Sequence, residues 1–223
     1  MQPNTYPGRF ITFEGIDASG KSQQFMWFES LIRAQSLSRD RGILFTKEPD
    51  TDHESGREIY DILMVRHKTI NLADMHPFEM QSRYFRNRIW HYRKKVLQAL
   101  MKDIHVISDR GVASICFGVS SPDEFRPLIS IEEQAFLGAE TPFLWPDMIL
   151  IFDVPAGVAR KRLIAQGKEL DAFERDLNFQ MRVRENYLEF ARRYPNCHII
   201  DGSGSPKEVF EKTKEIVIPL LGL

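Results

Sequence analysis

Residues 14–25 read EGIDASGKSQQF, and this stretch decides the fold. Gly15, four further residues, then Gly20, Lys21 and Ser22 have the spacing of a phosphate-cradling loop. The run RFITFE (9–14) ahead of it reads as a buried strand, and a helix pattern follows over about 21–37. A strand turning sharply through glycines into a helix is the setting this motif requires. Backbone N–H groups of Gly15, Ile16, Asp17, Ala18, Ser19 and Gly20 can then converge on a phosphate, and the helix N-terminus adds positive potential. Lys21 would reach the outer phosphates of a nucleoside triphosphate, and the Ser22 hydroxyl would ligate Mg²⁺. A glycine turn with one exposed lysine is the plainer reading, and the flanking strand and helix argue against it. The motif does not name the acceptor.

Beyond the loop, short apolar runs alternate with helix patterns. GILFTK (42–47) is a second strand, SGREIYDILMV (55–65) a helix, and a long helix is expected over about 76–101. IHVIS (104–108) and DMILIFDV (147–154) are further strands, with a helical stretch around SIEEQAFLGAE between them. Helices over about 156–166 and 172–193, a strand CHIID (197–201) and a last helix from about 206 complete the order. Such alternation builds a parallel sheet with helices on both faces, and strands without polar alternation fit burial on both sides. The fold class is α/β, and the chain 1–223 is read as one domain.

Lys and Arg total 30 against 31 Asp and Glu, a formal charge of −1, which lacks the basic excess of a polynucleotide-coating protein. Cys116 and Cys197 match no zinc or redox spacing and suit buried positions in a reducing interior. The opening MQPNTYPGRF carries no targeting pattern, and no apolar run approaches membrane-spanning length. The expectation is a soluble cytoplasmic protein with small-molecule partners, no polynucleotide and no membrane.

Open parallel sheets bind ligands beyond the carboxyl ends of their strands. Each strand end here delivers polar residues: Asp17, then Lys47-Glu48-Pro49, then Asp109-Arg110, then Asp153. Asp109 could instead cap a helix and Arg110 make a surface ion pair, while Asp153 is read as structural. In the helix at 76–101, Phe78, Phe85, Ile89, Tyr92, Val96 and Leu100 form the expected core stripe. Tyr84 and Arg88 lie one turn apart beside it. A ring and a guanidinium could together read a nucleobase, yet RYFRNRIWHYRKK also reads as a solvated basic face.

The ordered set FITFEGIDASGKS, FTKEP, SRYFRNR, VISDR, WPDMILIFDV, GKELDAFE and RVRENYLEFA resembles the thymidylate kinase family, P-loop nucleoside monophosphate kinases. The resemblance implies a P-loop NTPase-type three-layer fold with a five-stranded parallel sheet, usually in a homodimer. It implies transfer of the γ-phosphoryl of Mg-ATP to dTMP, giving dTDP. By position, Lys21 and Ser22 handle ATP and Mg²⁺, Asp17 lies beside the reaction centre, and Asp109 lies near the metal. Arg110 matches a ligand of the acceptor phosphate, Tyr84 an aromatic that stacks on thymine, and Arg88 an arginine that hydrogen-bonds the base. Lys47, Glu48, Pro49 and Ser114 join the acceptor group, and the Glu48-Pro49 bond corresponds to one often cis in the family. Residues 160–175 correspond to a lid over ATP.

Departures from the family pattern fall in two places. The loop interior holds no arginine, and Ile164, Gln166 and Ala172 stand where the bacterial-type lid has arginines, leaving Arg160, Arg162, Lys168 and Arg175 as candidate cations. In the acceptor region, Lys47 replaces an arginine, DTDHESG a glycine-rich turn, and Gly111 a bulky residue. Two other readings stay open: a deoxynucleoside kinase with Glu48 as base, and a catalytically weakened nucleotide-binding module.

Overall fold

The computed structural model describes residues 2–35, 42–70, 75–167 and 170–223. Its strands are β1 (Gln2–Pro3), β2 (Phe10–Glu14), β3 (Ile43–Lys47), β4 (His105–Asp109), β5 (Leu144–Trp145), β6 (Met148–Asp153) and β7 (Cys197–Asp201). The first helices are α1 (Lys21–Gln35), α2 (Glu54–Leu63), α3 (Pro77–His91) and α4 (Leu97–Leu100). They are followed by α5 (Phe125–Gly138), α6 (Ala156–Gln166), α7 (Ala172–Arg175), α8 (Leu177–Arg193) and α9 (Pro206–Leu221).

Five parallel strands form the main sheet in the order β3-β4-β2-β6-β7. Every residue of β2 is buried, as expected for a central strand covered on both faces. One face carries α1 and α9, packed on Ile11, Phe13, Ile107 and Leu150. The other carries the α3–α4 unit, α5 and α8, packed on Phe10, Val106, Ile149 and Ile151. Alternate residues of each strand feed opposite cores. The strands run in parallel, so Glu14, Lys47, Asp109, Asp153 and Asp201 all fall at the same edge of the sheet.

Several expectations need correction. The long helix at 76–101 is α3, a π-helical turn at Tyr92–Val96, and α4. Phe85, Tyr92, Val96 and Leu100 are buried and Ile89 partly so, but Phe78 is 43% exposed. The first turns of α3 pack on α2 through Met80 and Tyr84, and Phe78 points about 200° around the helix from Met80. The helix expected over 172–193 breaks at Asp176, whose side chain accepts from the Asn178 and Phe179 N–H groups and starts α8 afresh. A small sheet, β1 paired with β5, was not anticipated. The expected end of the first helix at about 37 lies outside the described residues. Cys116 is buried as expected, whereas Cys197, in edge strand β7, is only partly so. Among the described residues no helix is long and apolar enough to cross a membrane.

Candidate active site

The glycine loop joins β2 to α1 and lines a cleft of about 700 Å³. Gly15 and Gly20 have φ of +141° and +98°, which side chains rarely adopt, and a Cβ on Gly15 would meet the Phe152 carbonyl. Ile16, Asp17, Ala18, Ser19, Gly20, Lys21 and Ser22 all line this cleft. Lys21 is 6% exposed and forms an ion pair with Asp109. The other oxygen of Asp109 accepts from Ser22 Oγ at 3.3 Å. Burial works against ionisation of Asp109, but the charges of Lys21 and Arg110 outweigh it and hold the carboxyl below its usual range.

A second cleft, of about 430 Å³, adjoins the first. It is lined by Glu48, Pro49, Tyr84, Arg88, Arg110 and Ser114, with Phe173 arriving from α7. Asp17, Ser22 and Glu174 line both clefts, so the two meet at the phosphate loop. The Glu48-Pro49 peptide bond is cis. Burial pushes the Tyr84 hydroxyl well up, so it remains neutral, while its ring forms part of the wall.

Arg110 is held on several sides. Its Nη2 donates to Asp17 Oδ1 at 2.6 Å, and Nη1 donates to the Gly15 carbonyl at 3.2 Å and the Tyr187 hydroxyl at 3.4 Å. The guanidinium lies 4.7 Å from the Phe117 ring centroid. Behind it, Glu14 Oε2 accepts from Ser114 Oγ at 2.8 Å and from the Tyr187 hydroxyl at 2.9 Å. Burial pushes the Glu14 carboxyl up to about 7, against the pull of Arg110.

The run at 83–95 is not the solvated face that its charge allows: Arg86, Arg93 and Lys94 are exposed, but Asn87, Arg88, His91 and Tyr92 are buried. Arg88, 2% exposed, donates from Nε to Glu48 Oε2 at 2.6 Å, from Nη1 to Glu132 Oε1, and from Nη2 to the Gly111 carbonyl at 2.8 Å. Three of the guanidinium's five N–H bonds are thereby engaged, leaving two that the protein does not use. Glu48 Oε1 lies 3.2 Å from His91 Nδ1. Burial opposes ionisation of Glu48, yet Arg88 and His91 hold it below its usual range. For Glu132 burial dominates, and its carboxyl rises to about 7.

Other expected site residues lie apart. Lys47 is exposed and outside the second cleft, with Nζ 5.8 Å from the Tyr60 ring centroid. In the segment expected as a lid, Arg160 donates to the Arg175 carbonyl and Arg175 to the Leu170 carbonyl, so both are turned onto their own segment. Arg162 instead reaches the phosphate loop, donating from Nη1 to the Ala18 and Ser19 carbonyls and from Nη2 to the Gly202 carbonyl at 2.9 Å. Lys168 lies outside the described residues. Asp153 accepts a bidentate pair from Arg184 at 2.7 and 2.9 Å, in keeping with its structural reading.

Sequence reasoning missed Glu14, Tyr187 and Glu132. Glu14 could have been noticed as a charged residue closing an otherwise uncharged, buried strand; nothing local marks the other two.

Two clefts meeting at one phosphate loop bring a nucleotide donor and a small acceptor together, and with the parallel sheet they define a P-loop kinase of nucleosides or nucleotides. The sequence comparisons narrow this class. The family model for thymidylate kinase matches residues 13–213. A thymidylate kinase of Nitrosomonas europaea is 33% identical over 213 residues, covering 94% of this chain and 92% of that protein. A probable thymidylate kinase of Pyrococcus abyssi is 32% identical over 218 residues, covering 97% and 99%. The chain belongs to the thymidylate kinase family, nucleoside monophosphate kinases that phosphorylate dTMP to dTDP with ATP.

Proposed function

We propose that this chain binds ATP in the loop cleft and dTMP in the adjoining one, and joins them at Asp17 and Ser22. The shared walls support this reading, because phosphates bound in the two clefts would lie side by side. An oxygen of the dTMP phosphate attacks the γ-phosphorus; the bond from that phosphorus to the β–γ bridging oxygen breaks, leaving ADP and dTDP. A general base is unnecessary, since the second pKa of a phosphomonoester is about 6 and the attacking oxygen is already mostly ionised at neutral pH. The protein's task is to position two anions and neutralise them.

In this reading the loop backbone and Lys21 hold the ATP phosphates, and Arg110 holds the acceptor phosphate. Tyr84 stacks on the base, while the two unused N–H bonds of Arg88 face its carbonyl edge. Glu48, Pro49 and Ser114 complete the acceptor walls, from which Lys47 stands apart. Among the described residues, Arg162 is the lid cation that contacts the loop. Ser22 Oγ and the Asp109 carboxylate suit Mg²⁺, a hard cation commonly held by one or two carboxylates together with phosphates and water. Among the described residues no cluster of three or more His, Cys, Asp or Glu offers an all-protein cage, which accords with such a shared site. When bound, the ion would neutralise charge on the transferring phosphates.

The deoxynucleoside kinase reading needs Glu48 as a base, but its carboxylate is committed to Arg88 and His91 and its basicity is lowered. The weakened-module reading rests on lid depletion, and Arg162 against the loop argues for a working cation. The reading also takes 1–223 as one kinase domain with a lid at about 160–175, acting as a cytoplasmic homodimer on family resemblance.

The test is coupled ADP release with Mg-ATP against dTMP, dUMP, other monophosphates and thymidine, with Lys21→Ala as control. dTMP should give the highest kcat/KM. No dTMP signal above the control, with turnover of thymidine or another monophosphate instead, would end this assignment.

A further inference from the structure

The second cleft contains a polar group with no partner. Gln81 is 5% exposed, lines this cleft, and forms no hydrogen bond among the described residues. It belongs to α3, in register with the proposed base readers: Gln81, Tyr84 and Arg88 stand at i, i+3 and i+7, one face of a helix, and all three line the cleft. Neither of its amide atoms is among the polar atoms sealed in the dry core, so the unbonded amide meets the solvent of the cleft. An amide on the wall of an open cleft, with no protein partner, is available to a ligand there.

Space has been made for it. Gly118, which closes the 3₁₀ turn Val112–Phe117, has Gln81 lying where its own side chain would stand. The three atoms nearest to a Cβ at 118 all belong to the Gln81 side chain, with which it would collide. The absent side chain at 118 therefore sets where the amide sits.

We propose that the Gln81 amide is a second base-reading group, pairing with the N3–H and an adjoining carbonyl of a 4-oxopyrimidine. A primary amide offers a donor and an acceptor in one plane, which is what an imide edge needs. Because an amide can be turned over, Gln81 alone would also accept the donor–acceptor edge of cytosine. Arg88 removes that freedom: its unused N–H bonds only donate, and so demand a carbonyl at position 4 where cytosine has an amino group. The arginine selects the oxo group and the glutamine reads the imide.

This inference rests on the dTMP reading above, and the experiment separates the two. Steady-state kinetics on wild type, Gln81→Met, Gln81→Glu and Gly118→Ala would be accompanied by dTMP titration and thermal melting. Gln81→Met should lower kcat/KM for dTMP about 10- to 100-fold, as loss of one or two hydrogen bonds to substrate does, with KM for ATP within about twofold. Its melting temperature should not fall, because no protein hydrogen bond is lost. Gln81→Glu, which only accepts when ionised, should also lose dTMP. Gly118→Ala should weaken dTMP by displacing an amide that is still present. Gln81→Met with dTMP kcat/KM within twofold of wild type would overturn the inference, and so would an equal loss for ATP. A normal Gly118→Ala would remove Gly118 from it. If wild type neither binds nor phosphorylates dTMP, the functional reading falls and takes this inference with it.

Discussion

Arg110 and Asp17 are joined by a 2.6 Å hydrogen bond that ties the end of β4 to the phosphate loop after β2. The contact spans two adjacent strands and lies where the two clefts share a wall. Arg110 cannot move without Asp17, the Gly15 carbonyl and the Phe117 ring responding. Such fixation is what a planar guanidinium needs to meet a phosphate with little loss of side-chain freedom.

Arg110→Ala is accordingly expected to raise KM for the acceptor monophosphate by about tenfold or more, and KM for ATP by no more than about threefold. Steady-state kinetics with each substrate varied in turn decide the matter. An unchanged acceptor KM would remove Arg110 from the acceptor site.

For the segment expected as a lid, the candidates are no longer equivalent. Arg162 touches two loop carbonyls, whereas Arg160 and Arg175 are spent on their own segment. Arg162→Ala should lower kcat about a thousandfold or more, in the range for loss of a cation that stabilises phosphoryl transfer, with Arg160→Ala and Arg175→Ala within about threefold. A near-neutral Arg162→Ala would exclude it as that cation.

How much of this could be read beforehand depends on the range of the interaction. The loop at 15–22 was readable because its spacing reflects local backbone sterics. The strand ends at Lys47, Asp109 and Asp153 were readable because a parallel sheet gathers its carboxyl ends on one edge. Glu132 was not, because it meets Arg88 only after α5 folds against α3, and no local pattern records that meeting. Gln81 carried a signal in its i, i+3, i+7 spacing with Tyr84 and Arg88, but the space at Gly118 exists only in three dimensions. Lys47 shows the opposite error: its position in the motif suggested the acceptor site, while the end of edge strand β3 leaves it exposed beside Tyr60.

The pair of Arg88 and Glu132 is almost wholly enclosed, with side chains 3% and 0% exposed. Glu48 still balances the charge of Arg88 when Glu132 is removed, but one buried N–H of the guanidinium loses its acceptor, typically at a cost of about 1–3 kcal/mol. Glu132→Ala should therefore lower the unfolding free energy by about that amount. Glu132→Gln keeps a hydrogen-bond acceptor and mimics a carboxyl whose pKa is already pushed up to about 7, so it should cost much less. Urea unfolding at neutral pH compares the two, and equal losses would show that acceptor geometry is not what Glu132 supplies.

Glu14 yields a prediction in pH. Burial raises its carboxyl from 4.5 to about 7, so between those values the folded state holds a proton that the unfolded chain has released. Stability from this group is present below pH 4.5 and is lost as pH rises toward and through 7. The whole shift corresponds to about 3 kcal/mol at about 1.4 kcal/mol per unit. Glu14→Gln removes this titration while retaining an oxygen for Ser114 and Tyr187. Whatever constant offset the substitution introduces, the variant should gain about 3 kcal/mol on wild type between pH 4.5 and 8. Denaturant unfolding of both proteins across that range measures the difference directly. Parallel curves would mean that Glu14 is ionised throughout, and that the hydroxyls of Ser114 and Tyr187, with the charge of Arg110, outweigh its burial.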